Sequence, residues 1–211
     1  MTDISLAYSC LGLLLGPIIN RLSTATPAWV AKDYDDSYLV KTWPQWEPLI
    51  SIECGLILAL IPLLISNLGP SAYGLKIAFC WTLVLLAMID ARSMLLPDIL
   101  TLPLLVLGIL ASNIGYSVPI SYALIGASTG YSMLWLLNRI SILLNGAEGM
   151  GQGDMKLLAA IGAWQGYMAL PTILVVASTL GVCWGLARRT PRSEPFPFGP
   201  MLCFSGIFSA L

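Results

Sequence analysis

The sequence predicts an all-α, polytopic membrane bundle of about eight transmembrane helices, and three observations lead there. Hydrophobic residues make up 57% of the 211 residues and charged residues only 10%, with a mean hydropathy of +0.83, far from the mixture of a soluble domain. The apolar residues gather into blocks near 4–19, 49–66, 72–89, 99–115, 119–144, 155–169, 170–187 and 199–211, most of them near the roughly 20 residues that a span requires. The basic residues, finally, fall between these blocks in a pattern that one topology explains.

Taken in order, the first block follows Asp3, lacks a basic leader and passes Gly16-Pro17 without a clear small-residue cleavage site. It is expected to be a span and not a removable signal peptide. Asn20–Glu47 is the one sizeable polar segment, with Pro27, Asp33, Asp35, Asp36 and Pro44; it reads as a cytoplasmic loop, with Trp29, Trp43 and Trp46 as interfacial anchors. The second span carries Glu53, and an intramembrane carboxylate needs a partner. The third closes on Asp90. Asp98, after Pro97, reads as the N-cap of the fourth. The fifth leads into Gly149-Met150-Gly151-Gln152-Gly153-Asp154, where Asp154 is placed to cap a helix beginning at Met155. The sixth and eighth blocks are short at about 1.5 Å per residue against a core of roughly 30 Å. Charge favours eight crossings all the same. With the N-terminus outside, Arg21, Lys32, Lys41, Arg92, Arg139, Lys156, Arg188, Arg189 and Arg192 all fall inside, and only Lys76 lies near an outer end. Asp90 and Asp154 then both sit near the cytoplasmic face. A single membrane domain over residues 1–211 is expected, with 20–47 as a loop and 49–211 as its core.

Absences narrow the chemistry. There is no histidine, which removes Ser–His and Cys–His nucleophile pairs and the His-Glu-x-x-His zinc helix. The five cysteines are dispersed, without a Cys-x-x-Cys pair, and read as small buried hydrophobes. The glycine segment runs into Met155-Lys156 and not into the Gly-Lys-Ser/Thr of a phosphate loop. A net charge of −1 and a pI of about 5.2 leave no basic footprint, so no nucleic-acid partner is expected.

Carboxylate chemistry remains. Two carboxyl groups within reach of one water cannot both ionise cheaply, so they share a proton. The ionised member deprotonates the water while the protonated member polarises a peptide carbonyl. Asp90 and Asp154, at like-sided ends of two apolar helices, are the candidates. Gly149, Gly151 and Gly153 tolerate positive φ and close backbone approach, which suits a site holding an extended peptide. Plain structural readings stand beside these: a Gly-rich turn with an N-cap at Asp154, and a helix-end carboxylate near Arg92 at Asp90.

Three motifs carry a family resemblance. Ile89-Asp90-Ala91-Arg92-Ser93-Met94-Leu95-Leu96-Pro97-Asp98, followed by Leu100-Thr101-Leu102-Pro103, resembles the first active-site signature of type IV prepilin peptidases. Glu148 to Trp164 resembles that family's Gly-x-Gly-Asp segment at nearly every position, and Pro197-Phe198-Gly199-Pro200 resembles the motif opening its last helix. The similarity as a whole covers most of residues 49–211, with the motifs in the expected order. The Gly-x-Gly-Asp ending is also similar to that of presenilins and signal-peptide peptidases, but their Tyr-Asp partner is missing, since Ile89 precedes Asp90.

The resemblance implies a bacterial inner-membrane aspartic endopeptidase, N-terminus periplasmic, that removes the leader of type IV prepilin or pseudopilin precursors after a glycine at the cytoplasmic face. Asp90 and Asp154 match its two catalytic aspartates, and Glu53 resembles a glutamate early in the family's second helix, read as structural or substrate-orienting. From the residues alone the three glycines read as supporting, Glu148 as tuning the pair's charge or facing water, and Lys156 as biasing Asp154 by proximity or pointing away as a topology charge. Membrane lipid and the precursor are the expected partners. Proteolysis needs no cofactor. Many members also methylate the new N-terminus with S-adenosylmethionine and carry two Cys-x-x-Cys pairs in the first loop. Here Asn20–Glu47 has no cysteine, so no zinc is expected, and Arg21-Leu22 is followed by Ser23 where proline is familiar, with Gly16 where asparagine is usual. Methylation is left open. Two other classes stay in view: a non-catalytic scaffold of a pilus or secretion machine, and a small proton or cation transporter subunit.

Overall fold

The computed structural model describes residues 2–30, 47–64, 70–146, 149–188 and 196–211. Among them it contains eight α-helices and no strand: α1 (Thr2–Val30), α2 (Glu47–Leu64), α3 (Pro70–Ser93), α4 (Asp98–Asn113), α5 (Ile120–Asn145), α6 (Gln152–Gln165), α7 (Leu170–Arg188) and α8 (Gly199–Ala210). The protein is an all-α integral membrane protein. Four stretches, Ile4–Ser23, Tyr73–Ser93, Ile120–Leu144 and Leu170–Ala187, are long and apolar enough to cross a bilayer. Large apolar side chains such as Leu136, Leu143, Val175 and Leu186 face outward, as lipid-solvated helices require.

The chain divides into two compact units, Met1–Leu95 and Leu96–Ala210. In the first, α1 and α2 meet at backbone distance: a Cβ on Gly12 would lie 2.7 Å from the Leu58 carbonyl carbon and oxygen. Small residues permit such an approach where lipid gives helices no hydrophobic drive to associate. Pro62, inside α2, has no N–H for the carbonyl four residues back. That carbonyl belongs to Leu58, and Trp81 Nε1 of α3 donates to it at 3.1 Å. Tyr73 Oη donates to the Pro62 carbonyl at 2.5 Å, so α3 donates to two carbonyls of α2.

In the second unit α6 is the central helix. Ten of its residues, including everything from Met155 to Trp164 except Lys156, are buried, and it packs on α4, α5 and α8. Gly126 and Gly162 bring α5 and α6 into backbone contact, where a Cβ on Gly126 would lie 2.2 Å from the Gly162 oxygen. Trp164 Nε1 donates to the Leu104 carbonyl of α4 at 2.8 Å, and Gln165 Nε2 to the Gly206 carbonyl of α8 at 2.6 Å. A helix this enclosed presents no stripe to lipid, which is why its sequence block is short.

Three boundaries differ from the sequence expectation. α1 runs through Asn20 to Val30, where the polar residues suggested a loop. Ser23 Oγ donates to the Asn20 carbonyl at 2.8 Å, and both residues are buried, so their polarity is absorbed inside the unit. The expected loop is thereby shortened at its start; Trp43 and Trp46 lie outside the described residues. α4 takes Pro97 as its N-cap, with Asp98 as its first helical residue. α6 takes Gly151 as N-cap and starts at Gln152, so Asp154 is not a cap.

Candidate active site

Asp90 sits three residues before the end of α3 and is 4% exposed. Around it the helix closes deliberately. Ser93 Oγ donates to the Ile89 carbonyl at 2.8 Å, and the Met94 N–H donates to the Asp90 carbonyl at 2.8 Å. Met94 itself adopts φ 52, the left-handed stop more often filled by glycine. Arg92, in the same last turn, reaches α1: Nη1 donates to the Asn20 carbonyl at 3.2 Å and Nη2 to Asn20 Oδ1. A carboxyl group is thus buried on a helix end that is anchored at backbone and side chain, and burying a carboxylate is costly enough to demand a reason.

Asp154 belongs to the second unit. It occupies the third position of α6 and is 9% exposed. The positive end of the helix dipole favours a carboxylate there by about 0.3–1 kcal/mol. Its Oδ2 lies back toward the N-cap, 3.8 Å from where a Cβ on Gly151 would stand.

Of the three glycines before Asp154, Gly149 and Gly153 are explained by space and none by positive φ, which in this unit is found at Gly115, Gly146 and Gly166. A Cβ on Gly149 would lie 2.6 Å from Ser141 Oγ, and one on Gly153 would lie 2.8 Å from Leu96 Cβ. Gly151 is extended, with φ −69 and ψ 146. The neighbours at Gly149 and Gly153 are side chains of α5 and of the α3–α4 connection, where the sequence suggested room for another backbone.

Lys156 does not attend Asp154. Its ammonium donates to both carboxylate oxygens of Asp98 at 2.7 Å, tying the second turn of α6 to the first of α4. Glu53 lies within α2, but its side chain is outside the described residues, as is Glu148 altogether.

One residue that sequence reading passed over is Asn138. Buried on α5, its Oδ1 accepts the N–H groups of Gly149 at 2.9 Å and Met150 at 3.2 Å. The available signal was an uncharged amide inside the apolar run from Tyr131 to Leu144, since a buried amide implies a partner. No group of three or more metal-ligating side chains occurs among the described residues.

A family model described as the type IV leader peptidase family matches residues 77–186, a stretch that contains both Asp90 and Asp154. The prepilin leader peptidase/N-methyltransferase of Aeromonas salmonicida strain A449 is 44% identical over 162 residues, covering 74% of this chain and 56% of the relative. The protein of that name from Dichelobacter nodosus is 46% identical over 142 residues, covering 67% and 50%, and that from Aeromonas hydrophila is 49% identical over 135 residues, covering 62% and 47%. The chain therefore spans about half the length of the relatives it matches. No solved structure matches it.

Proposed function

Because the chain belongs to the type IV leader peptidase family, we propose that it is a membrane-embedded aspartic endopeptidase of type IV prepilin-like precursors, with Asp90 and Asp154 as its catalytic pair. The observation that carries this is the burial of these two carboxyl groups at helix ends inside the matched segment.

In this reading the two carboxyl groups share one proton once both reach the same water, because like charges that close repel. The ionised partner takes a proton from water as the water oxygen attacks the scissile carbonyl carbon. The protonated partner gives its proton to the carbonyl oxygen, forming a neutral tetrahedral diol. Collapse breaks the C–N bond as the carboxyl group that took the water proton gives it to the departing amine, and the other carboxylate takes a proton back from a diol hydroxyl. The helix dipole at Asp154 favours its ionised form, which assigns it the base role. Asp90 takes the complementary acid role.

The precursor's own chemistry fits a membrane enzyme. A hydrophobic stem that stays in the bilayer holds the preceding peptide bond at the interface, and cleavage after a glycine there releases a basic leader to the cytoplasm. The distribution of Lys and Arg supports a cytoplasmic site in the inner membrane and a periplasmic N-terminus. Methylation of the new terminus with S-adenosylmethionine remains a separate question, since the described geometry singles out no residues for it.

The test is co-expression with a type IV prepilin, following leader removal by gel shift and N-terminal mass. Asp90→Asn and Asp154→Asn, at matched membrane levels, should each abolish cleavage. Retained cleavage in either variant would refute the dyad. No cleavage even by the wild type, with pilus assembly that still depends on the chain, would favour the scaffold reading, and one added methyl group on the wild-type product would establish the second activity.

A further inference from the structure

We propose that Asn138 is a positioning residue for cleavage, holding the glycine segment that delivers Asp154; this rests on Asp154 being catalytic. The segment has every reason to wander. Gly149, Gly151 and Gly153 alternate through five residues, and glycine surrenders more backbone freedom on ordering than any other residue. α5 has meanwhile ended, with Gly146 at φ 72 as its left-handed cap, its N–H donating to the Ile142 carbonyl.

Two contacts to one face of α5 bring the chain back. Asn138 and Ser141 are three residues apart and so share that face. Asn138 Oδ1 accepts from consecutive backbone N–H groups, Gly149 at 2.9 Å and Met150 at 3.2 Å, using both lone pairs of its carbonyl oxygen. Ser141 Oγ occupies the space a side chain at 149 would need. The segment is thereby pinned immediately before Gly151, the N-cap from which α6 and Asp154 follow. Asn138 itself is only 9% exposed, while the two bonds it accepts are part-buried, so solvent would replace them only in part.

A merely structural asparagine and a positioning one differ in what its removal changes. Loss of structure lowers the amount of folded enzyme but not the turnover of what remains. Loss of position lowers kcat, because misplacement of a reacting group by about 1 Å can cost on the order of 100-fold, while substrate binding through the hydrophobic stem persists. The experiment uses the full chain in nanodiscs with a purified type IV prepilin, comparing wild type, Asn138→Leu, Asn138→Asp and Asp154→Asn. Asn138→Leu keeps the volume and removes the acceptor; its kcat should fall roughly 10- to 100-fold with KM little changed. Asn138→Asp keeps acceptor oxygens in place and should recover most of that loss. Should Asn138→Leu fail to fold, hydrogen exchange in the wild type decides: the Gly149 and Met150 amides should be protected, and exchange at the rate of free peptide would overturn the proposal. So would a normal kcat in Asn138→Leu, or an Asn138→Asp variant as slow as it. An active Asp154→Asn would instead bring down the catalytic reading on which the pin depends, while an inactive one beside a fully active Asn138→Leu would remove the pin alone.

Discussion

Lys156 shows why nearness along the chain misleads at the scale of single residues. Side chains two apart on a helix do not face each other, and Lys156 spends its charge on Asp98, 58 positions away. The pair is partly solvated, with side-chain exposures of 29% and 53%, and such bridges contribute about 0.2–1 kcal/mol. A double-mutant cycle of Lys156→Met and Asp98→Asn, read by denaturant unfolding in detergent, should give a coupling of about 0.5 kcal/mol that shrinks as salt is raised. Cleavage by Lys156→Met should stay within about fivefold of wild type. A loss on the scale of Asp154→Asn would place that ammonium in the chemistry after all. Asp90, Asp154 and the glycines were legible as candidates because acids and glycines are conspicuous in apolar surroundings. Asn138 was not, because an uncharged amide announces itself only through the partners that the fold brings to it.

At the scale of elements, the apolar blocks fixed the number of helices and most of their limits. The misses have two causes: polar residues that read as an end are neutralised by tertiary partners, as in α1, or a neighbouring proline or glycine takes the cap, as in α4 and α6. Asn20 continues α1 because Arg92 takes both its backbone and side-chain oxygens. At α6, a glycine took the cap that aspartate would have filled well, and moved Asp154 into the first turn. α3 ends on an unusual device, since Met94 holds a left-handed backbone at a cost of about 1–2 kcal/mol for a residue with a Cβ. Met94→Gly should therefore raise stability by about 1 kcal/mol, seen as a higher unfolding midpoint in detergent. A lower midpoint would mean that the methionine side chain contributes more by packing than its backbone loses.

At the scale of the whole molecule, the charge pattern yields a topology that can be tested directly. In a background with the native cysteines replaced by alanine, Tyr116→Cys, in the α4–α5 turn and 43% exposed, should react with an impermeant maleimide in intact cells. Gln152→Cys, at the start of α6, should react only after the membrane is opened. The reverse pattern would put the proposed site on the opposite face. The sequence by itself determined a helical membrane protein, the blocks from which its helices are made, and the two acids on which a function could rest. These are properties of composition and of local order, and lipid reads them much as a hydropathy scale does. Tertiary structure alone decided that Trp81 satisfies the carbonyl freed by Pro62, that α6 is enclosed, that Lys156 belongs to Asp98 and that Asn138 holds the glycine segment. Each of those is a bond between residues far apart in the chain or on different elements. Its partner is chosen by which helices approach closely enough to exclude lipid, and no local pattern encodes that choice.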